Sequence, residues 1–497
     1  MILFADHVNF KRENFPALYH YLDSNSLVYD YHESFIEEKK IWGEYSSDSF
    51  SGIEIDSEDR IYASEDEIAE LYKHELQSAI LRNSDWANTR FRSDSELNTY
   101  AKENFKEQKD GCRRAVIFWV RHWSQVFAEK KPTCGIVFGG NLIYSTAFMF
   151  VAKKLDVPVF VLEHFFTGND WYMEQRYSPI PNNSILRSKS YVSKLVGNGA
   201  SINDYEILQK LNAGKNKNVK QPAYTSPDLR DYVLILGQVP SDFSITSRNN
   251  LEKNSIAFYK DLISYYLNES SESVVVKVHP YERRINSAGR TNTYDSLVSY
   301  RSTLSADYRN RVKIFEDFSL QGLINNCKYA VTINSQAGLE AIINGKQLVC
   351  FGNPFYANHG FTISLMSIGE LSEVDMPAYL SEQQLSSFIR FMGATFRHLI
   401  GENEHQKVAD LMSNLRLPRL KPEAKPIVSA IKVPDAAVSA SMSTKSNALV
   451  TVKANAVRLV DQLSRTKRLC KKFKRDPKAY CLDSQHSLLR FIGKKVL

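Results

Sequence analysis

No run in these 497 residues approaches the roughly 20 consecutive apolar residues that a membrane-spanning helix needs. The start, Met1-Ile2-Leu3-Phe4-Ala5-Asp6-His7, lacks a basic segment followed by a long apolar core, so it reads as a first β-strand and not a signal peptide. Cysteine is sparse: Cys112, Cys134, Cys327, Cys350, Cys470 and Cys481 form no CxxC pair and show no metal-ligand spacing. They read as buried free thiols of a reducing compartment, which leads us to expect a cytoplasmic chain, soluble or peripheral at the inner face of the plasma membrane. HExxH, Walker and GxSxG motifs are all missing, which leaves metalloprotease, ATPase and hydrolase readings unsupported. No GxGxxG is present either, which argues against a dinucleotide cofactor, and no clustered ligands call for a metal.

What is present suits two α/β domains with an appended tail: 43% hydrophobic and 12% aromatic residues, enough for sizeable cores. The net charge of +7 is unevenly spread. Residues 33–70 are acidic, whereas 465–497 carry eleven Lys/Arg against Asp476 and Asp483. That tail, with Leu469, Phe473, Tyr480 and Leu488 among its cations, suits an anionic membrane surface or a solvated segment. Nucleic acid is not an expected partner, because no binding module accompanies the charge.

Short apolar strands alternate with helices, the pattern of parallel sheets. Residues 30–110 read as peripheral helices of little chemistry. An apolar helix over 113–129 precedes the strands 134–140 and 157–162. A polar connector over 212–231 leads to a second series with strands at 232–238, 273–278, 329–333 and 347–351. We expect an N-terminal Rossmann-like domain over 1–211 and a C-terminal Rossmann-like domain over 232–417, facing a central cleft. A proline-rich linker (418–450) and the basic tail (451–497) follow.

Ligands of open parallel sheets bind beyond the carboxyl ends of the strands, and four such places carry polar residues. Lys277-Val278-His279-Pro280 ends one strand; its cation and imidazole can neutralise a phosphate leaving group, or simply make a strand-ending turn. Asn334-Ser335-Gln336-Ala337-Gly338-Leu339-Glu340 runs from a strand into a helix. Its open amides suit phosphate, Ser335 reads as N-cap and Glu340 could accept from ribose hydroxyls; alternatively Asn-Ser only caps the helix. Glu163-His164 ends a strand of the first domain, where a carboxylate could deprotonate an acceptor or attack the anomeric carbon, or merely pair with a neighbour. Gly139-Gly140 and Gly237-Gln238 allow close approach of a substrate, or make plain turns.

Taken together, Glu163-His164-Phe165-Phe166 with Asn182-Asn183-Ser184, Lys277 to Pro280, and Thr332 to Glu340 continuing through Phe355-Tyr356 resemble the capsule polysaccharide biosynthesis family, which includes Kdo transferases. The family's acidic-residue, Asn or His, Gly run is here Glu163-His164-Phe165. The resemblance implies a GT-B fold, no obligatory metal or other cofactor, and a nucleotide-sugar donor, with a CMP-linked ulosonic acid such as Kdo favoured. The acceptor would be a glycan or glycolipid. It further implies catalytic roles for Glu163 and His279. Lys277, His279, Pro280, Asn334, Ser335, Gln336, Gly338, Glu340 and Gln238 would bind the donor nucleotide, and Gly139, Gly140, His164, Asn183 and Tyr356 would line the cleft. A CDP-polyol phosphotransferase and a non-catalytic glycan-binding component of an export complex are the alternatives.

Overall fold

The computed structural model describes residues 1–31, 61–82, 89–91, 93–168, 170–180, 182–197, 204–213, 225, 227–246, 253–282, 292–352 and 354–415. Residues 1–420 form one compact unit and 421–497 a second. The expected linker and basic tail lie outside the described residues, as does most of the connector.

The first half runs β1 (Ile2–Phe4), α1 (Pro16–Ser24), β2 (Tyr29–Tyr31), α2 (Glu65–Arg82), α3 (Asp94–Asn104), α4 (Lys106–Lys130), β3 (Cys134–Phe138), α5 (Ile143–Lys154), β4 (Val159–His164), β5 (Trp171–Gln175), α6 (Lys189–Gly197) and α7 (Asp204–Ala213). Its sheet has the order β2-β1-β3-β4-β5, parallel except for β5, which folds back antiparallel on β4. Pro158 stands just ahead of β4, where its missing N–H costs no ladder bond. Local chemistry sets the helix ends: Pro16 opens α1 and Ser93 caps α3 by accepting from the Glu96 amide.

The second half runs β6 (Tyr232–Leu236), α8 (Phe243–Thr246), α9 (Ser255–Glu269), β7 (Val274–Lys277), α10 (Asn292–Thr303), α11 (Ala306–Arg311), β8 (Val312–Phe315), α12 (Leu320–Asn326), β9 (Cys327–Thr332), α13 (Ala337–Ile343), β10 (Leu348–Cys350), β11 (Ile363–Ser364), α14 (Glu382–His398) and α15 (His405–Met412). All six strands are parallel in the order β8-β7-β6-β9-β10-β11. This is the doubly wound Rossmann order, in which the direction of winding reverses between β6 and β9. In the first sheet it reverses between β1 and β3. Both halves are therefore Rossmann-like α/β layers, the fold class expected from the strand pattern.

Two expectations about domain organisation need correction. The second domain does not keep its last segment: Ile400 bridges Trp171, and Ile400, Val408 and Met412 are buried in the core of the first sheet with Ile2, Phe4 and Leu18. The apolar face of α15 finds its partner on α1, so the chain crosses back before residue 417. Nor are the helices before residue 110 peripheral. Ser78 on α2 donates to the Ser241 carbonyl (2.8 Å), the Phe91 carbonyl accepts from the Lys253 amide (2.8 Å), and Asp94 pairs with the buried Lys253 ammonium (2.9 Å). These helices stitch the two sheets together. Glu75, buried on α2, accepts from the Ile143 amide at the start of α5, and burial pushes its carboxyl up to about 8.

Candidate functional site

The winding reversal of the second sheet puts the tips of β6 and β9 side by side, with the tip of β7 on the other flank of β6. The His279 and Ser335 segments therefore stand two strand spacings apart, about 10 Å. Gln238 ties the middle tip to its neighbour: its amide group donates to Asn334 Oδ1 (2.7 Å) and accepts from the Asn334 amide (2.9 Å). Asn334 Nδ2 in turn donates to the Ser244 carbonyl (2.7 Å). Both side chains are buried and mutually satisfied, so they form the floor of the crevice and do not reach into it.

Lys277 and His279 share the tip of β7 but differ in availability. Lys277 Nζ donates to the carbonyls of Val278 (2.8 Å) and Glu316 (2.9 Å), which commits two of its three N–H groups. Burial drives its ammonium down to about 8, against the pull of Asp317 and Glu316. The expected direct phosphate contact from Lys277 is thus reduced to a nearby charge. His279 is better placed. The Tyr281 amide donates to its Nδ1 (3.2 Å), which leaves the proton on Nε2, and Pro280 follows, half-buried, in the turn. Burial lowers its basicity first; Asp242 opposes this and Lys277 adds to it.

At β9 the Ser335–Gly338 turn is tighter than a row of open amides. Asn334, Ser335, Ala337 and Gly338 all have their backbone N–H bonded, to Gln238, Thr332 Oγ1, Ser335 Oγ and the Ser335 carbonyl respectively. The Gln336 amide has no partner among the described residues, and neither does its buried Oε1. Gln336, not Ser335, is the capping residue of α13, although the Ser335 hydroxyl does accept a first-turn amide. Glu340, one turn in, is held up to about 7 by burial alone.

Gly338 and Tyr356 serve packing. Tyr356 is fully buried beneath the turn, not on the cleft wall, and its hydroxyl donates to the Ser335 carbonyl (2.5 Å). A Cβ on Gly338 would lie 2.5 Å from that hydroxyl and 2.7 Å from Leu348 Cδ2. Gly338→Ala should cost about 1–3 kcal/mol, read as a lower urea midpoint, and Tyr356→Phe in the same chain should recover part of it.

The facing wall comes from the first sheet. Glu163, at the tip of β4, packs its carboxylate over Gly139, whose added Cβ would stand 3.3 Å from Oε2. Gly139 and Gly140 have φ of +64° and +85°, so this close approach suits glycine twice over. Burial, and then repulsion from Asp242, push the Glu163 carboxyl up to about 7, while the His164 amide bonded to Oε1 works the other way. His164 turns away from the crevice. Its ring stacks on Phe15 (5.0 Å between centroids) and lies against Phe138, as a core histidine does.

A hydrogen bond across the crevice comes from Asn182, one position before the expected Asn183. Asn182 Nδ2 donates to the Asn334 carbonyl (3.5 Å), while Asn183 is exposed and uses its carbonyl to accept from Arg176. Glu174 anchors this loop. It accepts from Ser184 (2.6 Å), pairs with Arg176 (2.8 Å) and meets His398 of α14 (3.0 Å).

Two further residues at the tips were not singled out from sequence. Asp242 caps α8 by accepting the Ser244 amide (2.7 Å) and acts electrostatically on both Glu163 and His279. Asp6, fully buried at the tip of β1, accepts from Tyr144 (2.8 Å) and from the Asn9 amide (2.9 Å). The visible signal was an acid just beyond a strand, a pattern shared by many helix caps.

The site thus has a carboxyl group on one wall, an imidazole N–H on the other and Asp242 within charge range of both. Such an arrangement can hold an anionic leaving group on the second sheet and exchange a proton from the first. Among the described residues no three His, Cys, Asp or Glu side chains are grouped to hold a metal ion, and no helix is long and apolar enough to cross a membrane.

Comparison with known proteins agrees with the resemblance read from the strand-tip residues. The family model described as capsule polysaccharide biosynthesis protein matches residues 190–379. Protein FixF of Sinorhizobium fredii is 25% identical over 237 residues, covering 48% of this chain and 52% of that protein. The capsule polysaccharide export protein KpsS of Escherichia coli is 31% identical over 140 residues, covering 27% of this chain and 33% of its own length. The chain therefore spans from about a third to about half of these curated relatives. Among solved structures, the Thermosulfurimonas dismutans KpsC β-Kdo 2,4 transferase aligns with 55% of this chain and 85% of its own, at 17% identity and a TM-score of 0.32. The stretch that matches the capsule polysaccharide biosynthesis protein family, residues 190–379, holds the His279 and Ser335 tips.

Proposed function

We propose that this chain is a glycosyltransferase of capsule or surface polysaccharide synthesis that moves a sugar from a nucleotide donor to a lipid-linked or growing glycan. The nucleotide phosphate would sit between the β7 and β9 tips, against His279 Nε2 and the Gln336 amide, with Lys277 supplying charge from below. Glu163 would take the acceptor proton from the opposite wall. The observation that carries this reading is that the loop beside the first sheet reaches the strand tips of the second, where Asn182 Nδ2 donates to the Asn334 carbonyl (3.5 Å). A CMP-linked ulosonic acid such as Kdo is the favoured donor, on the likeness of the Lys277–Pro280 and Thr332–Glu340 blocks to the family. Work at the cytoplasmic face of the membrane fits a lipid-linked acceptor.

Thermal unfolding of the full chain with CMP, CDP, UDP and GDP tests the donor class. A bound nucleotide at a hundred times its dissociation constant should stabilise by about 2.7 kcal/mol, and we expect CMP to give the largest shift. If none of the four shifts the transition, the transferase reading is wrong and a non-catalytic glycan-binding component takes its place.

A further inference from the structure

One cavity beside the crevice is used by nothing described so far. Leu81 and Arg82 at the end of α2, Val239 and Ser241 after β6, and Glu282 and Asn292 flanking the segment after β7 wall it in. It encloses about 20 Å³, room for one water-sized group. Its walls are chain neighbours of the site residues. Val239 follows Gln238, Ser241 precedes Asp242, and the Glu282 amide donates to the His279 carbonyl (3.2 Å).

Glu282 is the unexplained group. It is 3% exposed, and its Oε1 accepts from both the amide (2.9 Å) and the hydroxyl (3.0 Å) of Thr293. Its Oε2 has no partner among the described residues. A buried carboxyl oxygen left bare is costly, so something polar is expected to meet it.

The chemistry of the pocket narrows what that is. Burial raises the Glu282 carboxyl to about 7, with Glu316 and Asp295 adding to the rise against the Thr293 bonds, so acid and carboxylate coexist at neutral pH. An anion would suit only the acid, and an ammonium group only the carboxylate. A hydroxyl suits both, donating to the anion or accepting from the acid, and it can also accept from Arg82.

We propose that this cavity is a sugar-side subsite: it seats one hydroxyl of the group being transferred, with Glu282 Oε2 as its hydrogen-bond partner. The subsite rests on the donor reading above, because its walls adjoin the place assigned to the leaving phosphate. It would distinguish polyhydroxylated donors from the bare nucleotide.

The test is calorimetric titration of CMP and of CMP-Kdo into the full-length wild-type protein, Glu282→Ala and Val239→Leu. The first variant removes the partner. The second fills the cavity with one more methylene and stands in if the first does not fold. CMP is expected to bind all three alike, while CMP-Kdo weakens by about tenfold or more in each variant. Unchanged CMP-Kdo affinity, or an equal loss for both ligands, overturns the subsite while the donor reading stands. Failure of the wild-type protein to bind CMP overturns both.

Discussion

Glu163→Gln should lower the transfer rate by about 10²–10⁴-fold while leaving nucleotide affinity within about twofold of wild type. The amide keeps the shape of the side chain and its bond from the His164 amide, so the fold has little reason to change. What it loses is the ability to take a proton. The pH profile separates this role from a structural one. Burial first, and Asp242 second, hold the carboxyl near 7, so the ionised base is scarce below that pH and plentiful above it. The wild-type rate should therefore climb as pH rises through about 7, and the residual rate of the variant should be flat there. Initial rates from pH 5.5 to 8.5 decide the matter; a wild-type profile already level between 5.5 and 7 would remove Glu163 from the proton path.

His279→Ala should weaken nucleotide binding by about 10- to 100-fold and abolish turnover, because it removes the one ring N–H that the β7 tip presents. The Tyr281 amide fixes which nitrogen carries the proton, so the loss is directional and not merely a loss of bulk. Gln, which can offer an amide N–H at a comparable reach, should restore part of the affinity where Ala and Leu do not. Equal affinities for wild type, Ala and Gln in a calorimetric titration would show that the imidazole does not touch the nucleotide.

The parts of the fold visible in sequence are those where burial on both faces forces a continuous apolar run: Ile136-Val137, Val159 to Leu162, Tyr232 to Leu236 and Val274 to Val276 are all fully buried strand residues. Tyr29-Asp30-Tyr31 is only partly buried and Val312-Lys313-Ile314-Phe315 runs from buried to exposed, and such mixed sequences carry no such signal. Residues Trp171–Gln175 form an edge strand that is antiparallel to an otherwise parallel sheet, an arrangement no local pattern encodes. The crossing of α15 onto the first sheet was hidden for a similar reason. An amphipathic helix declares that it has a partner, but not which one.

The site divides along the same line. Glu163, His279 and Ser335 could be found because each stands at or just beyond the carboxyl end of an apolar strand, where the open-sheet rule directs attention. Whether a polar residue at such a tip is free or spent depends on neighbours far away in the chain. Lys277 is spent partly on the Glu316 carbonyl, and Gln238 on Asn334, 96 residues on. Gly338 and Tyr356 looked like ligand-facing residues, yet they fit each other. Asp242 is a single polar residue in a loop and Asn182 one of two adjacent asparagines, and only the approach of the two sheets gives them a role.

The most direct measurement is a crystal structure of the full chain with CMP bound. The expected result is a phosphate within about 3.2 Å of His279 Nε2, beside the Gln336 amide and facing Glu163 across the crevice. A nucleotide lodged instead at the β1 and β3 tips of the first sheet, or a phosphate remote from both His279 and Gln336, would contradict the assignment of donor and acceptor sides.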